Sequence, residues 1–192
     1  MITNSKANYK IAICGGHSQG KSTLVNKLKE NDYIMSDLKF SFRLNLTRDL
    51  SKLVSINEGG DSISQYLVMA RHLEFALTPG RWILDRGALD GIAYSHYFYE
   101  KGTVDKDIME ALKKVYELCI PHYDKVFYIA PELPLVSDGQ RSVDKEFFDG
   151  VIKQFDFYTK HFSISDKITL LTGSVKDRVD KVISEIKKDF NE

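Results

Sequence analysis

Gly15-Gly16-His17-Ser18-Gln19-Gly20-Lys21-Ser22 is the stretch on which the fold of this chain turns. It fits the P-loop pattern G-x-x-x-x-G-K-[ST] at every fixed position. Before it runs Tyr9-Lys10-Ile11-Ala12-Ile13-Cys14, a mainly apolar segment that reads as a buried strand. After it, Thr23 to Lys29 carries apolar residues at helical spacing. Strand, glycine-bounded loop and helix, in that order, is the context the motif requires. Glycines let the backbone curl until successive N–H groups face a phosphate chain. The helix N-terminus adds partial positive charge and unpaired donors. Lys21 can reach the terminal phosphates, and the Ser22 hydroxyl can ligate Mg2+. The expected ATP contacts are therefore Gly15, Gly16, His17, Ser18, Gln19, Gly20, Lys21, Ser22 and Thr23.

At 192 residues the chain fits one domain with room for a substantial core. A hydrophobic content of 43% and a charged content of 28% place it with ordinary soluble globular proteins. Lysine plus arginine equals aspartate plus glutamate, 27 each, so no general field draws it to nucleic acid or anionic membrane. Cys14 and Cys119 lie far apart, with no metal spacing and no disulfide framework, which suits a reducing compartment. Met1 to Asn8 is a polar lead-in without the apolar centre of a signal peptide, and no apolar run approaches a membrane span. The expectation is a single domain over residues 1–192, located in the cytoplasm.

Outward from the loop, a helix is expected from Ser22 to about Glu30, and a short second strand at Tyr33-Ile34-Met35 ending near Ser36-Asp37. Phe42, Leu46, Leu50 and Leu53 suggest a helix between Phe40 and Leu53. Asp61 and Ser62 can cap a helix whose apolar positions are Ile63, Tyr66, Leu67, Ala70, Leu73 and Leu77, stopped by Thr78-Pro79-Gly80. Trp82-Ile83-Leu84 reads as a central strand ending on Asp85. Helices follow over Ala88 to Tyr99 and from Val104 to Cys119, then a strand at Lys125 to Ala130. Residues 136–143 form a polar loop, expected to act as a lid. A helix on Phe148 to Phe162, a strand at Lys167 to Thr172 and a helix on Val175 to Phe190 complete the chain. This alternation predicts an α/β fold: a three-layer α/β/α arrangement around a mostly parallel five-stranded sheet. In such sheets the ligand lies at the carboxyl ends of the strands.

The candidate chemistry lies just past those strand ends. Asp85 follows its strand directly, as the acidic residue of a Walker B-like strand does, and could hold Mg2+ opposite Ser22 or polarise an acceptor hydroxyl. The alternative is an N-cap for the next helix. Arg86 would aim a guanidinium at the same edge, whereas Asp90, one turn on, reads as helix-surface chemistry. Asp37, after the expected second strand, could take the proton of an attacking hydroxyl, with Arg43 steadying the acceptor. Arg141, in the Asp138-Gly139-Gln140-Arg141-Ser142 loop, could reach the transferred phosphoryl as the lid closes. Gln65, Arg71 and Glu74 sit on a helix bordering the expected acceptor site. His72, His96, His122 and His161 have no metal spacing among them.

These features together resemble the P-loop kinases of nucleoside-type substrates. The likeness is to the ribosylnicotinamide kinase domain and related P-loop ATPase/kinase-like proteins. It rests on Gly15 to Val25, on Asp85-Arg86-Gly87 and on Asp138-Gly139-Gln140-Arg141-Ser142. The resemblance implies that Lys21 and Ser22 serve ATP and Mg2+, Asp85 the metal or acceptor, and Arg141 the transferred phosphoryl. The Asp85-Arg86-Gly87 segment looks more like deoxynucleoside and thymidylate kinases. In such kinases an acidic residue at the second strand's end is followed closely by arginine. Here Asp37 has Lys39 nearby and Arg43 further off, so the acceptor does not carry over.

The expected activity is ATP- and Mg2+-dependent transfer to a hydroxyl of a nucleoside-like molecule, with Lys21, Asp37, Asp85, Arg86 and Arg141 as catalytic residues. Asp37, Arg43, Gln65 and Arg86 are the expected acceptor contacts. One alternative is a nucleoside monophosphate kinase, for which Arg43, Arg48, Arg71 and Arg86 could hold the acceptor phosphate. Others are a kinase acting on a hydroxymethylated base in DNA and a regulatory ATPase. A GTP switch is disfavoured, since Asn26-Lys27 lacks the aspartate of N-K-x-D. A small-molecule acceptor is the expected partner, DNA the alternative one, and a homodimer is left open; no membrane is expected.

Overall fold

The structure, a computed structural model, describes residues 6–44, 49–55, 57–134, 144–161 and 164–190. Strands Tyr9–Cys14 (β1), Ser41–Arg43 (β2), Arg81–Asp85 (β3), Lys125–Ile129 (β4) and Ile168–Leu171 (β5) form one sheet in the order β2-β3-β1-β4-β5. Each of these pairings is parallel. Helices Lys21–Lys29 (α1), Ser62–Leu77 (α2), Ala88–Glu100 (α3), Lys106–Cys119 (α4), Lys145–His161 (α5) and Val175–Asp189 (α6) cover its two faces. Among the described residues no helix is long and apolar enough to cross a membrane.

The period-two geometry of a strand divides β1 between two cores. Tyr9, Ile11 and Ile13 pack with Leu24 and Leu28 of α1 and with Val182 and Ile186 of α6. Ala12 and Cys14 point the other way, to Met69 of α2, Ile92 of α3, Leu112 of α4 and Phe155 of α5. β3 and β4 repeat the division, Ile83 and Phe127 on the first side, Leu84 and Val126 on the second. All six residues of β1 are buried, as a central parallel strand requires. The three-layer α/β/α expectation therefore holds.

The second strand is not where its apolar residues suggest. Tyr33–Asp37 is a π-helical turn, closed by the Leu38 N–H donating to the Tyr33 carbonyl at 3.0 Å. Ile34, Leu38 and Phe40 are buried while Met35, Ser36 and Asp37 are exposed, a pattern that offers no strand alternation. The strand is Ser41–Arg43, inside the span read as a helix, and it pairs with β3 at Ser41↔Trp82 and Arg43↔Leu84. Three residues are too few for a period to register. Of the remaining span, residues 45–48 lie outside the described residues, and Asp49-Leu50 opens a helical turn.

α2 has the expected cap: the Ser64 N–H donates to Asp61 and the Asp61 N–H to Ser64 Oγ, both at 2.8 Å. Its buried side is turned away from the one expected, which keeps Leu67 and Leu73 half-buried, Leu73 against the core. Ser64, Gln65, Val68, Met69, His72 and Ala76 face inward, and Ile63, Tyr66, Ala70 and Leu77 face outward. Close approach of α3 explains the choice. A Cβ on Gly91 would stand 2.4 Å from Met69 Sδ and 2.8 Å from His72 Cδ2.

Candidate active site

The P-loop leaves the carboxyl end of the central strand and returns as α1. Gly15, Ser18 and Gly20 take positive φ values of 145°, 62° and 84°. Glycine reaches this region without strain; Ser18 holds it with a side chain attached. The amides of Ser18 through Thr23 donate to no described group. The buried Ser18 Oγ likewise has no partner among the described residues. Such donors at a helix N-terminus fit the oxygens of a phosphate chain. Lys21 is buried, and its Nζ donates to the Gly15 and Gly16 carbonyls at 2.7 and 2.6 Å. Burial first, then the charge of Arg86, lowers its pKa to about 8.

Asp85 stands beside the loop because β3 pairs with β1 in the register Ile13↔Asp85. Ser22 Oγ donates to Asp85 Oδ2 at 2.8 Å, and Asp85 is almost fully buried. Among the described residues no group of three or more His, Cys, Asp or Glu side chains could cage a metal. Mg2+ does not need one, since it binds through one or two protein oxygens together with phosphates and water. Two adjacent octahedral ligands at a radius of about 2.0–2.1 Å lie about 2.9 Å apart. The Ser22–Asp85 separation fits.

Arg86 continues the ladder, its N–H donating to the Ile13 carbonyl at 3.0 Å, before φ swings to 90° and starts α3. Gly87 caps that helix where a Cβ would lie 2.7 Å from Ala12 Cβ. The Asp90 carboxylate accepts from the Gly87 N–H at 3.2 Å and from the Gly15 N–H at 3.3 Å. It lies 3.6 Å from the Arg86 guanidinium. Burial pulls the Arg86 pKa down, and Tyr94, Asp90 and Asp85 together more than reverse this, keeping it charged. Asp90 is 2% exposed, so its expected surface position is corrected: it ties α3 to the phosphate loop. The signal was its place three residues after Gly87, where a carboxylate reaches back to the cap.

Side chains at the variable loop positions fasten the cradle as well. The His17 N–H donates to the Tyr94 hydroxyl at 3.2 Å, and its ring stacks on Phe147 at 5.3 Å. The Gln19 amide pairs with the Leu133 backbone in both directions, 2.9 Å each. Arg178 of α6 donates to the Gln19 carbonyl and to Glu132, each at 3.0 Å. Nothing in the motif announces Arg178, which arrives from the far end of the chain.

Of the expected acceptor residues, Arg86 lies at this site; the others do not gather with it. Asp37 precedes β2 and is exposed at the amino edge, where its neighbours Leu38 and Lys39 line a groove with Gly80 and Arg81. A residue before a parallel strand cannot reach its carboxyl end, so the placement beside the P-loop is corrected. Arg43 ends β2, but its guanidinium lies 5.1 Å over Phe75 and 5.0 Å over Trp82. Gln65 is buried between α2 and α3, accepting from Ser95 Oγ at 3.2 Å. Arg71 and Glu74 pair with each other at 2.5 Å on the surface. Arg48, Arg141 and residues 136–143 lie outside the described residues.

The AAA domain family matches residues 10–178. Among solved structures, a NadR protein in complex with NR aligns with a TM-score of 0.71 and 18% identity, over 97% of this chain and 52% of that one. The same protein with NAD and AMP-PNP gives 0.68 and 17%, over 97% and 50%. This chain thus spans about half of that protein's length. Deoxyadenosine kinase from M. mycoides, with dCMP and dCDP, gives 0.66 and 16%, over 94% and 99%. Thymidylate kinase from Candida albicans gives 0.60 and 17%, over 95% and 92%. At such identities the likeness establishes a kinase-like P-loop fold. No curated protein sequence matches the chain.

Proposed function

This chain belongs to the AAA domain family, and from that premise and the site's geometry we propose that it moves the γ-phosphoryl of ATP to a hydroxyl of a nucleoside-like small molecule, with Mg2+. The observation that carries this reading is the Ser22–Asp85 pair, 2.8 Å apart beside a loop whose amides donate to no described group.

Ser18 to Thr23 would hold the donor phosphates through their N–H groups, and Lys21 would trade its two carbonyl partners for phosphate oxygens. Ser22 and Asp85 would hold the Mg2+, which when bound offsets the charge gathering on the phosphate oxygens. Asp85 Oδ1 has no hydrogen bond among the described residues and is available to orient the acceptor hydroxyl and take its proton. Arg86 adds fixed positive charge at the same edge, held in place by Asp90. Asp90 keeps the loop and α3 together as substrates come and go.

An acceptor that already bears a phosphate would need free cations. Among the described arginines expected to serve it, Arg43 rests on two aromatic rings, Arg71 pairs with Glu74, and Arg86 with Asp90. This supports an uncharged nucleoside over a monophosphate. The test is a comparison of matched nucleosides and their 5′-monophosphates as acceptors. Higher kcat/KM on the nucleosides is expected; the reverse order would transfer the proposal to a nucleotide kinase.

A further inference from the structure

α3 holds two amides of the phosphate loop. The Gly15 N–H donates to the Asp90 carboxylate, and the His17 N–H to the Tyr94 hydroxyl. Asp90 and Tyr94 stand four residues apart, so they share one face of the helix. Arg86 stands four residues before Asp90 and meets both. Its guanidinium lies 3.6 Å from the Asp90 carboxylate and 5.8 Å from the centre of the Tyr94 ring. Arginine, carboxylate and phenol thus form one row along the loop.

Tyr94 is the member of this row to which the proposed chemistry gives no task. Its hydroxyl lies 3.1 Å from His17 Nδ1 as well, so one oxygen meets both the backbone and the ring of His17. Burial raises its pKa above the ordinary tyrosine value, and it stays a neutral hydroxyl. The ring is held separately, edge-on to Phe147 at 5.9 Å and to Phe155 at 6.3 Å. Arg86 keeps a φ of 90°, which a residue with a side chain sustains only where its surroundings fix it. The Ile13 carbonyl fixes its N–H, and Asp90 and Tyr94 flank its guanidinium.

Resting on the kinase reading above, we propose that Tyr94 is a positioning residue that couples the two substrates. Its hydroxyl ties the loop that holds ATP to the arginine at the acceptor edge, so each substrate tightens the binding of the other. Phosphates in the loop fix His17, and through it Tyr94 and Arg86. The acceptor then meets an arginine already in place, which is positive cooperativity by pre-organisation. Linkage requires the acceptor to tighten ATP by the same factor.

Calorimetry on the full chain tests this. The nucleoside with the highest kcat/KM would be titrated into the chain alone and into the chain saturated with Mg2+ and AMP-PNP. In the wild type the analogue should tighten the nucleoside by about fivefold or more. Tyr94→Phe keeps the ring and its packing and removes one oxygen. It should bring that factor close to unity, while the melting temperature and the affinity for AMP-PNP alone stay nearly unchanged. A residue that only supports the fold would not separate coupling from affinity in this way. A wild type without coupling, or coupling that survives Tyr94→Phe, would overturn the proposal. So would a large loss of AMP-PNP affinity in Tyr94→Phe, which would make the hydroxyl a support of the loop alone. Failure of the kinase reading looks different: the wild type then phosphorylates no nucleoside, and the coupling proposal falls with it.

Discussion

Lys21 is the residue whose proton depends most on what fills the loop. Burial, followed by the Arg86 charge, lowers its pKa to about 8. Phosphate oxygens would raise it again by placing negative charge beside the ammonium. ATP binding between about pH 8 and 10 should therefore take up a proton. Calorimetry in buffers of different ionisation enthalpy should detect the uptake, and Lys21→Met should remove it. His72 offers a second titration. Both ring nitrogens are buried without a partner among the described residues, and burial, followed by the Arg86 charge, lowers its pKa to about 3. Below its ordinary value the unfolded chain binds a proton that the fold refuses, so stability falls as pH drops from about 6.5 toward 3. Denaturant titrations across that window should show His72→Leu losing up to about 1.4 kcal/mol per pH unit of this slope. An unaltered slope would mean that His72 titrates normally in the fold.

Elements fail to declare themselves for identifiable reasons. The sequence shows that α2 is a helix and where it begins, since Asp61 and the apolar spacing are both plain. Which side it buries is hidden, because periodicity is present on both. The buried side carries Ser64, Gln65 and His72, chosen for the close approach of α3 and not for apolar character. Gly91→Ala should force the two helices apart, since its Cβ would meet Met69 Sδ at 2.4 Å. A loss of about 1–3 kcal/mol in urea unfolding is expected; no loss would mean that α2 repacks freely. β2 escapes notice because three residues carry no period, and the π-turn before it holds more apolar residues than the strand itself. Asp90 was legible in principle, as the third residue after a glycine cap. Arg178 was not, because its partner Gln19 stands 159 positions away.

At the scale of the molecule, the P-loop and its flanking periods suffice to set the layers, the parallel sheet and the position of Asp85, all of which rest on local pattern plus βαβ connection rules. The acceptor side rests on long-range placement. Asp37, Arg43 and Gln65 follow from assumptions about β2 and α2 that the packing overrides. Ser22 and Asp85, by contrast, meet because β1 and β3 pair in register. Replacing Asp85 by Asn should cut phosphoryl transfer by orders of magnitude while the melting temperature stays nearly constant; unchanged turnover would remove Asp85 from the chemistry. The most direct test of the account follows ATP and acceptor together. The purified chain would be incubated with ATP, Mg2+ and a panel of nucleosides, monophosphates, ribosylnicotinamide and hydroxymethylated DNA, and every product identified by mass. The account predicts one phosphorylated nucleoside-type molecule for each ADP formed. ADP appearing with inorganic phosphate alone, whatever the acceptor, would contradict it.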